Sequence, residues 1–178
     1  MNQALATARL QLRPLASGDE ALYVRLYTDP VSMAHITMAQ TPDAATRGFR
    51  AALAAQAQVP PQRLFWVLYD HVLQEQVGLL GLDLDEPGGG EVGALIPPEH
   101  QGRGYATDAI TALADHAFGT LGLRRLHTRH AAGHGLAHGL MQGLGFQPGD
   151  PVPGPHPQRW SLTPETWARR QGNCDPLT

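Results

Sequence analysis

The chain has no lysine; all 13 of its basic residues are arginine. That excludes a phosphate-cradling loop of the kind that ends in lysine. Its single cysteine, Cys174, lies in a polar tail, so no disulfide can close within the chain, and a reducing, cytoplasmic setting is expected. Aromatic residues are only 6% of the total and the net charge is −3, which leaves no electrostatic footprint for nucleic acid. No apolar run approaches the roughly 18 residues that a membrane span requires, and the first residues lack the basic and apolar pattern of a secretory leader. What is plentiful is Gly (20) and Pro (15) in 178 residues. With so much Ala and Leu beside them, the all-arginine usage reads as a compositional bias rather than a functional choice. The length fits a single domain over 1–178, with a core of about 8–170 and a C-terminal tail over 171–178.

Pattern and punctuation divide the chain into mixed elements. Ala8 to Arg13 alternates apolar and polar and stops at Pro14, an edge-strand pattern. Ser17 with Glu20 three residues later forms a capping-box pattern ahead of a helical face that ends at Asp29-Pro30. Thr41-Pro42-Asp43 opens a helix from Ala44 to about Gln58, stopped by Pro60-Pro61. Strands are predicted at Leu64–Asp70, Gln76–Leu84 and Glu91–Ile96, with turn residues between them. A helix from about Tyr105 to Phe118 follows, then a strand at Arg125–Arg129 and a glycine-interrupted helix near Gly135–Gly143. Phe146 begins another extended piece, Gln147–Gln158 is a proline- and glycine-rich loop, Arg159–Leu162 is a strand, and Thr163-Pro164-Glu165 caps a last helical turn.

The richest stretch runs from Ile96 to Thr107. A strand, a loop with glycines at 102 and 104, and a helix start succeed one another there. The first amides of a helix have no intrahelical partners and favour an anion. Glycine lets backbone approach a phosphate without a Cβ in the way, and Arg103 adds a permanent charge. A dinucleotide fingerprint would need a third glycine where Thr107 stands, so a nucleotide-dependent oxidoreductase is disfavoured, as is a kinase by the missing lysine.

What remains is Q-x-x-G-x-A over Gln101 to Ala106, which resembles the acetyl-coenzyme A loop of the GNAT superfamily of N-acetyltransferases. The element order resembles that family over roughly Leu10 to Arg169. Several pieces are similar to the ribosomal-protein N-acetyltransferase (RimJ/RimL-like) branch: Leu12-Arg13-Pro14-Leu15, Thr28-Asp29-Pro30, Glu91-Val92-Gly93-Ala94, Gly102 to Thr107, Leu144-Gly145-Phe146 and Leu162 to Trp167.

The resemblance implies an α/β (α+β) fold: a mixed, mostly antiparallel sheet, splayed between its fourth and fifth strands and flanked by helices. It implies acetyl-CoA as co-substrate, with the pantetheine arm lying against Ala94, Leu95 and Ile96. Gln101, Gly102, Arg103, Gly104, Tyr105 and Ala106 would hold the diphosphate, and no metal is needed. It points to Glu91 as the base for the amine. His134 stands where the family usually has a cofactor-touching asparagine, and Met141 where many members carry an acidic tyrosine. Acyl-CoA binding without efficient transfer therefore stays open as the alternative. Acceptor contacts are expected from His35, Met33 and Trp160 and from the loop with prolines at 148, 151, 153, 155 and 157. The acceptor is a small-molecule or peptide amine, and a homodimer is compatible with the family. Glu99, His100, Asp83 and Asp85 read as surface residues, and the histidines at 127, 130, 134 and 138 as surface or cofactor-lining groups rather than zinc ligands.

Overall fold

The computed structural model describes residues 2–172 apart from the side chain of Asp85, whose surface reading lies outside the described residues, as do Cys174 and the rest of the tail. The strands are β1 (Leu5–Ala6), β2 (Leu10–Pro14), β3 (Arg63–Asp70), β4 (Glu75–Glu86), β5 (Gly89–Leu95), β6 (Arg125–His130), β7 (Gln147–Pro148) and β8 (Gln158–Leu162). The helices are α1 (Glu20–Thr28), α2 (Pro30–Met33), α3 (Pro42–Gln56), α4 (Tyr105–Gly119), α5 (Gly135–Gly143) and α6 (Pro164–Gly172), with short 3-10 turns at Ser17–Asp19 and Pro98–His100. One eight-stranded sheet runs in the order β1-β2-β3-β4-β5-β6-β8-β7. Every pairing is antiparallel except β5 with β6.

β3 explains the two-sided core. Its side chains alternate faces: Phe65 and Val67 join one buried cluster, and Leu64, Trp66 and Leu68 join the other. The first cluster lies under α1 and α3 and includes Leu22, Leu26 and Phe49. The second lies under α4, whose Ala109, Ile110, Leu113, Ala114 and Ala117 recur at helical spacing and are all buried. Removing a large side chain such as Leu113 would cost about 2–5 kcal/mol.

Two expectations shift. β2 is not the edge, because Leu5 and Ala6 pair with Leu12 and Gln11 outside it. The capping carboxylate at the first helix is Asp19, not Glu20. Its Oδ2 accepts from the Ala16 amide at 2.8 Å, and it takes two hydrogen bonds from Arg13, at 2.7 and 2.9 Å. The paired charge explains why an aspartate is tolerated at 5% exposure and why its pKa is lowered despite the opposing effect of burial. Among the described residues no helix is long and apolar enough to cross a membrane.

The seam between β5 and β6 positions everything that follows. Only Gly89, Gly90 and Glu91 pair with Arg125, Leu126 and His127. β5 stays paired to β4 as far as Leu95, and β6 to β8 as far as His130. The sheet is therefore splayed beyond Glu91 into a wedge. In an antiparallel pair alternate residues turn their amide and carbonyl groups away from the partner strand, so β5 presents hydrogen-bonding backbone to the wedge between Val92 and Leu95. On its other side β5 is held close: a Cβ on Gly78 would come within 2.6 Å of the Leu95 carbonyl oxygen.

Candidate functional site

The wedge widens into a cleft of about 860 Å³. Ala94, Leu95 and Ile96 line one wall, and the chain then turns through Pro97 and Pro98 into the glycine loop. The Gln101 side chain closes this turn by donating from Nε2 to the Ile96 carbonyl at 2.9 Å. Gly102 (φ 72°) and Gly104 (φ 78°) both adopt the left-handed conformation. At Gly104, the N-cap of α4, a Cβ would also approach the Arg9 guanidinium to 2.8 Å. The amides of Tyr105, Ala106 and Thr107 follow, the helix donors that lack intrahelical acceptors, and all three residues line the cleft.

The helix start is anchored from below. Tyr105 is buried, and its hydroxyl donates to Asp70 Oδ2 at 2.6 Å. Asp70 also accepts from the amides of Val72 and Leu73. The tyrosine hydroxyl is the main cause of the lowered Asp70 pKa. Arg9 stacks 4.8 Å over the Tyr105 ring and pairs with Asp108 at 2.6 Å. Tyr105 therefore turns its side chain to the core and only its backbone to the loop. Arg103 is exposed and is not among the cleft-lining residues.

Glu91 stands at the foot of the wedge, half-buried, accepting from Arg129 Nε at 3.1 Å and Nη2 at 2.9 Å. This bidentate pair bridges β5 and β6 where their backbone pairing ends. Asp83, expected at the surface, lines the cleft instead and is paired with Arg63, with Nη2 to Oδ2 at 2.6 Å. His100, also expected at the surface, is 8% exposed and lines the cleft.

On the far wall His35 and His134 meet with ring centroids 4.2 Å apart, and both line the cleft. Burial, then the neighbouring His35 and His130, lowers the pKa of His134, whose buried Nδ1 has no hydrogen-bond partner among the described residues. Tyr27 lines the same region, stacked on Tyr23 at 4.3 Å; burial raises its phenol far above the usual value, so it presents a neutral hydroxyl.

Two expected acceptor contacts are elsewhere. Met33 is fully buried in the cluster with Leu26 and Phe49, because α2 folds its last residue inward against α1. Trp160 is 3% exposed and does not line the cleft. Its Nε1 donates to His130 Nε2 at 2.9 Å, while His130 Nδ1 lies 2.8 Å from the Ala131 carbonyl. Since indole only donates, these contacts place the His130 proton on Nδ1 and occupy both ring nitrogens. Among the described residues no group of three or more His, Cys, Asp or Glu is arranged to hold a metal ion.

Arg129, Asp70, Arg9 and Tyr27 escaped the sequence reading. Each acts through a partner distant in the chain, which no local motif announces. The arrangement joins an anion-receptive helix start, a strand with unsatisfied backbone beside it, and a second pocket facing the same wedge. That layout can hold an extended phosphate-bearing molecule against a second reactant.

A model of the acetyltransferase (GNAT) domain matches residues 9–147. The uncharacterized N-acetyltransferase p20 of Bacillus licheniformis is 22% identical over 147 residues, which cover 82% of this chain and 83% of that protein. Among solved structures, an acetyltransferase from Agrobacterium tumefaciens is 25% identical, with a TM-score of 0.77, covering 90% of this chain and 94% of the other. The spermidine N-acetyltransferase from Vibrio cholerae, solved with CoA and spermine, is 20% identical with a TM-score of 0.76, covering 91% and 99%. A Vibrio cholerae protein assigned as a ribosomal-protein-serine acetyltransferase is 19% identical with a TM-score of 0.74, covering 92% and 98%.

Proposed function

Because the chain belongs to the GNAT acetyltransferase family, we propose that it transfers an acetyl group from acetyl-coenzyme A to a primary amine, both bound at once. The observation that carries this reading is the wedge beyond Glu91, which runs directly into the glycine loop and the first amides of α4. The residues fit the co-substrate: Gly102, Gly104 and the first residues of α4 line the cleft with backbone that carries free helix amides, and β5 offers the pantetheine amides an unpaired edge.

In the proposed reaction the neutral amine attacks the thioester carbonyl. The N–C bond forms as the C–S bond breaks, the amine proton leaves toward Glu91 directly or through water, and the thiolate departs. A backbone amide near Leu95 or Ile96 would stabilise the developing oxyanion, a contribution of about 3 kcal/mol when well aimed. Holding the two reactants in line supplies much of the remainder. The similarity to RimJ/RimL-like proteins is one of sequence pieces, and the acceptor follows from the cleft rather than from that branch.

The second reading, coenzyme A binding without efficient transfer, is favoured by one observation. Met141, at the position where the family often has its tyrosine acid, is a buried apolar residue. Coenzyme A has a thiol of ordinary acidity, near pKa 8.5, so a dedicated acid is dispensable and transfer remains our conclusion. Calorimetry with coenzyme A and a free-thiol assay with an amine panel separate the two. The same titration on Gly104→Val should show at least tenfold weaker binding, about 1.4 kcal/mol. Unchanged affinity in the folded variant would remove the loop from the site.

A further inference from the structure

We propose that the acceptor is an amine carrying one positive charge on an apolar body, and not a polyamine; this rests on the acetyltransferase reading and narrows its substrate. The first argument is charge. Among the described residues only two carboxylates line the cleft, Asp83 and Glu91. Each is already taken by an arginine that lines it too, Arg63 and Arg129 respectively. These four described side chains, two negative and two positive, leave a formal charge of zero among themselves, and the cleft's histidines add nothing negative. A molecule with three or four ammonium groups would have to be desolvated against walls whose described carboxylates are both committed to arginines, which is costly. A single ammonium, which must lose its proton to react in any case, meets no such penalty.

The second argument is shape and polarity. Val31, Ile36 and Leu136 line the same cleft while remaining 63%, 39% and 72% exposed. They come from α2, the segment after it, and α5, so they converge from separate parts of the chain. Val152 and Pro153 of the proline-rich loop line the cleft as well. Converging apolar residues that a monomer leaves uncovered mark a binding surface, and mostly apolar lining with a few polar groups is the usual make-up of a small-ligand pocket. An aromatic or branched apolar body would cover these residues; a polyamine chain would set charges against them.

Two sources share this chemistry, a free small-molecule amine and the N-terminus of a peptide with an apolar first residue, and the test has an arm for each. Acetyl transfer is measured by thiol release with 2-phenylethylamine, with phenylalanyl-alanine amide and with spermidine. The expectation is a kcat/KM at least tenfold higher for one or both apolar amines than for spermidine; which of them wins identifies the source. In Arg63→Gln, which leaves Asp83 without its partner, the spermidine to 2-phenylethylamine ratio should rise at least fivefold. Spermidine turned over as well as both apolar amines would overturn the proposal while leaving the acetyltransferase reading intact, and an unchanged ratio in Arg63→Gln would overturn the charge argument. Failure to bind coenzyme A at all would overturn the acetyltransferase reading, and this proposal with it. Where coenzyme A binds without turnover, calorimetry of its complex with the same three amines applies the same tenfold criterion.

Discussion

Glu91 meets Arg129 through both of its oxygens, so its orientation toward the wedge is set before any substrate arrives. If it accepts the amine proton, Glu91→Gln lowers turnover of a peptide α-amine, of ordinary pKa about 8, more at pH 7 than at pH 9, where the acceptor is already largely neutral. Equal losses at the two values would leave Glu91 a bridging residue only. His116 shows how burial makes one side chain acid-sensitive. It is 4% exposed, its Nδ1 accepts from the Gln3 side-chain amide at 3.2 Å, and burial lowers its pKa. The unfolded chain therefore takes up this proton more readily than the folded one. The neutral ring's contribution is complete above the unfolded value of about 6.5 and is lost as pH falls through the lower folded value. In His116→Leu the drop in melting temperature between pH 7 and pH 5 should shrink by about 2 °C, a readable shift for a chain of this length. A drop as steep as in the parent protein would assign the acid sensitivity to other groups.

At the scale of elements, the loop over 147–157 is the piece whose role is most exposed to test. Val152, Pro153, Pro155 and His156 line the cleft, and its prolines restrict the freedom the loop would lose on binding. Replacing residues 151–157 with a Gly/Ser linker should raise acceptor KM while coenzyme A affinity holds; unchanged kinetics for every acceptor would reduce the loop to a spacer. Much of the architecture was legible because it is written locally. Alternation marked β3 to β5, Thr41-Pro42 marked the start of α3, and glycines with a helical face marked the loop into α4. What was not legible depends on partners far off in sequence. Met33 looks like a rim residue until α2, a four-residue helix capped by Asp29, carries it into the core. Trp160 alternates as a wall residue does, yet the strands paired on both sides of it, β6 and β7, lie in the sheet and its indole is committed to His130. Asp83 reads as solvated because the strand that delivers Arg63 lies 20 residues away.

The whole molecule is two stretches of sheet joined, among the described residues, by three residue pairs and by the ion pairs Glu91–Arg129 and Glu86–Arg125. An extended co-substrate lying in the wedge would add backbone pairing where β5 and β6 have none. Amide hydrogen exchange should then slow on coenzyme A binding in β5 beyond Glu91 and at the start of α4, with little change in β3. Protection confined to β3, or none anywhere, would place the ligand outside the wedge. The narrow seam also has a consequence for the life of the protein. A ligand present at one hundred times its dissociation constant adds about 2.7 kcal/mol to folding stability, and here that gain would fall on the short parallel join between β5 and β6. The amount of intact protein in a cell would then follow the supply of its acyl donor: starved of coenzyme A, the chain would lose that added stability and be cleared faster by proteases, so its abundance would report on acyl-group metabolism before any acetyl group had been transferred.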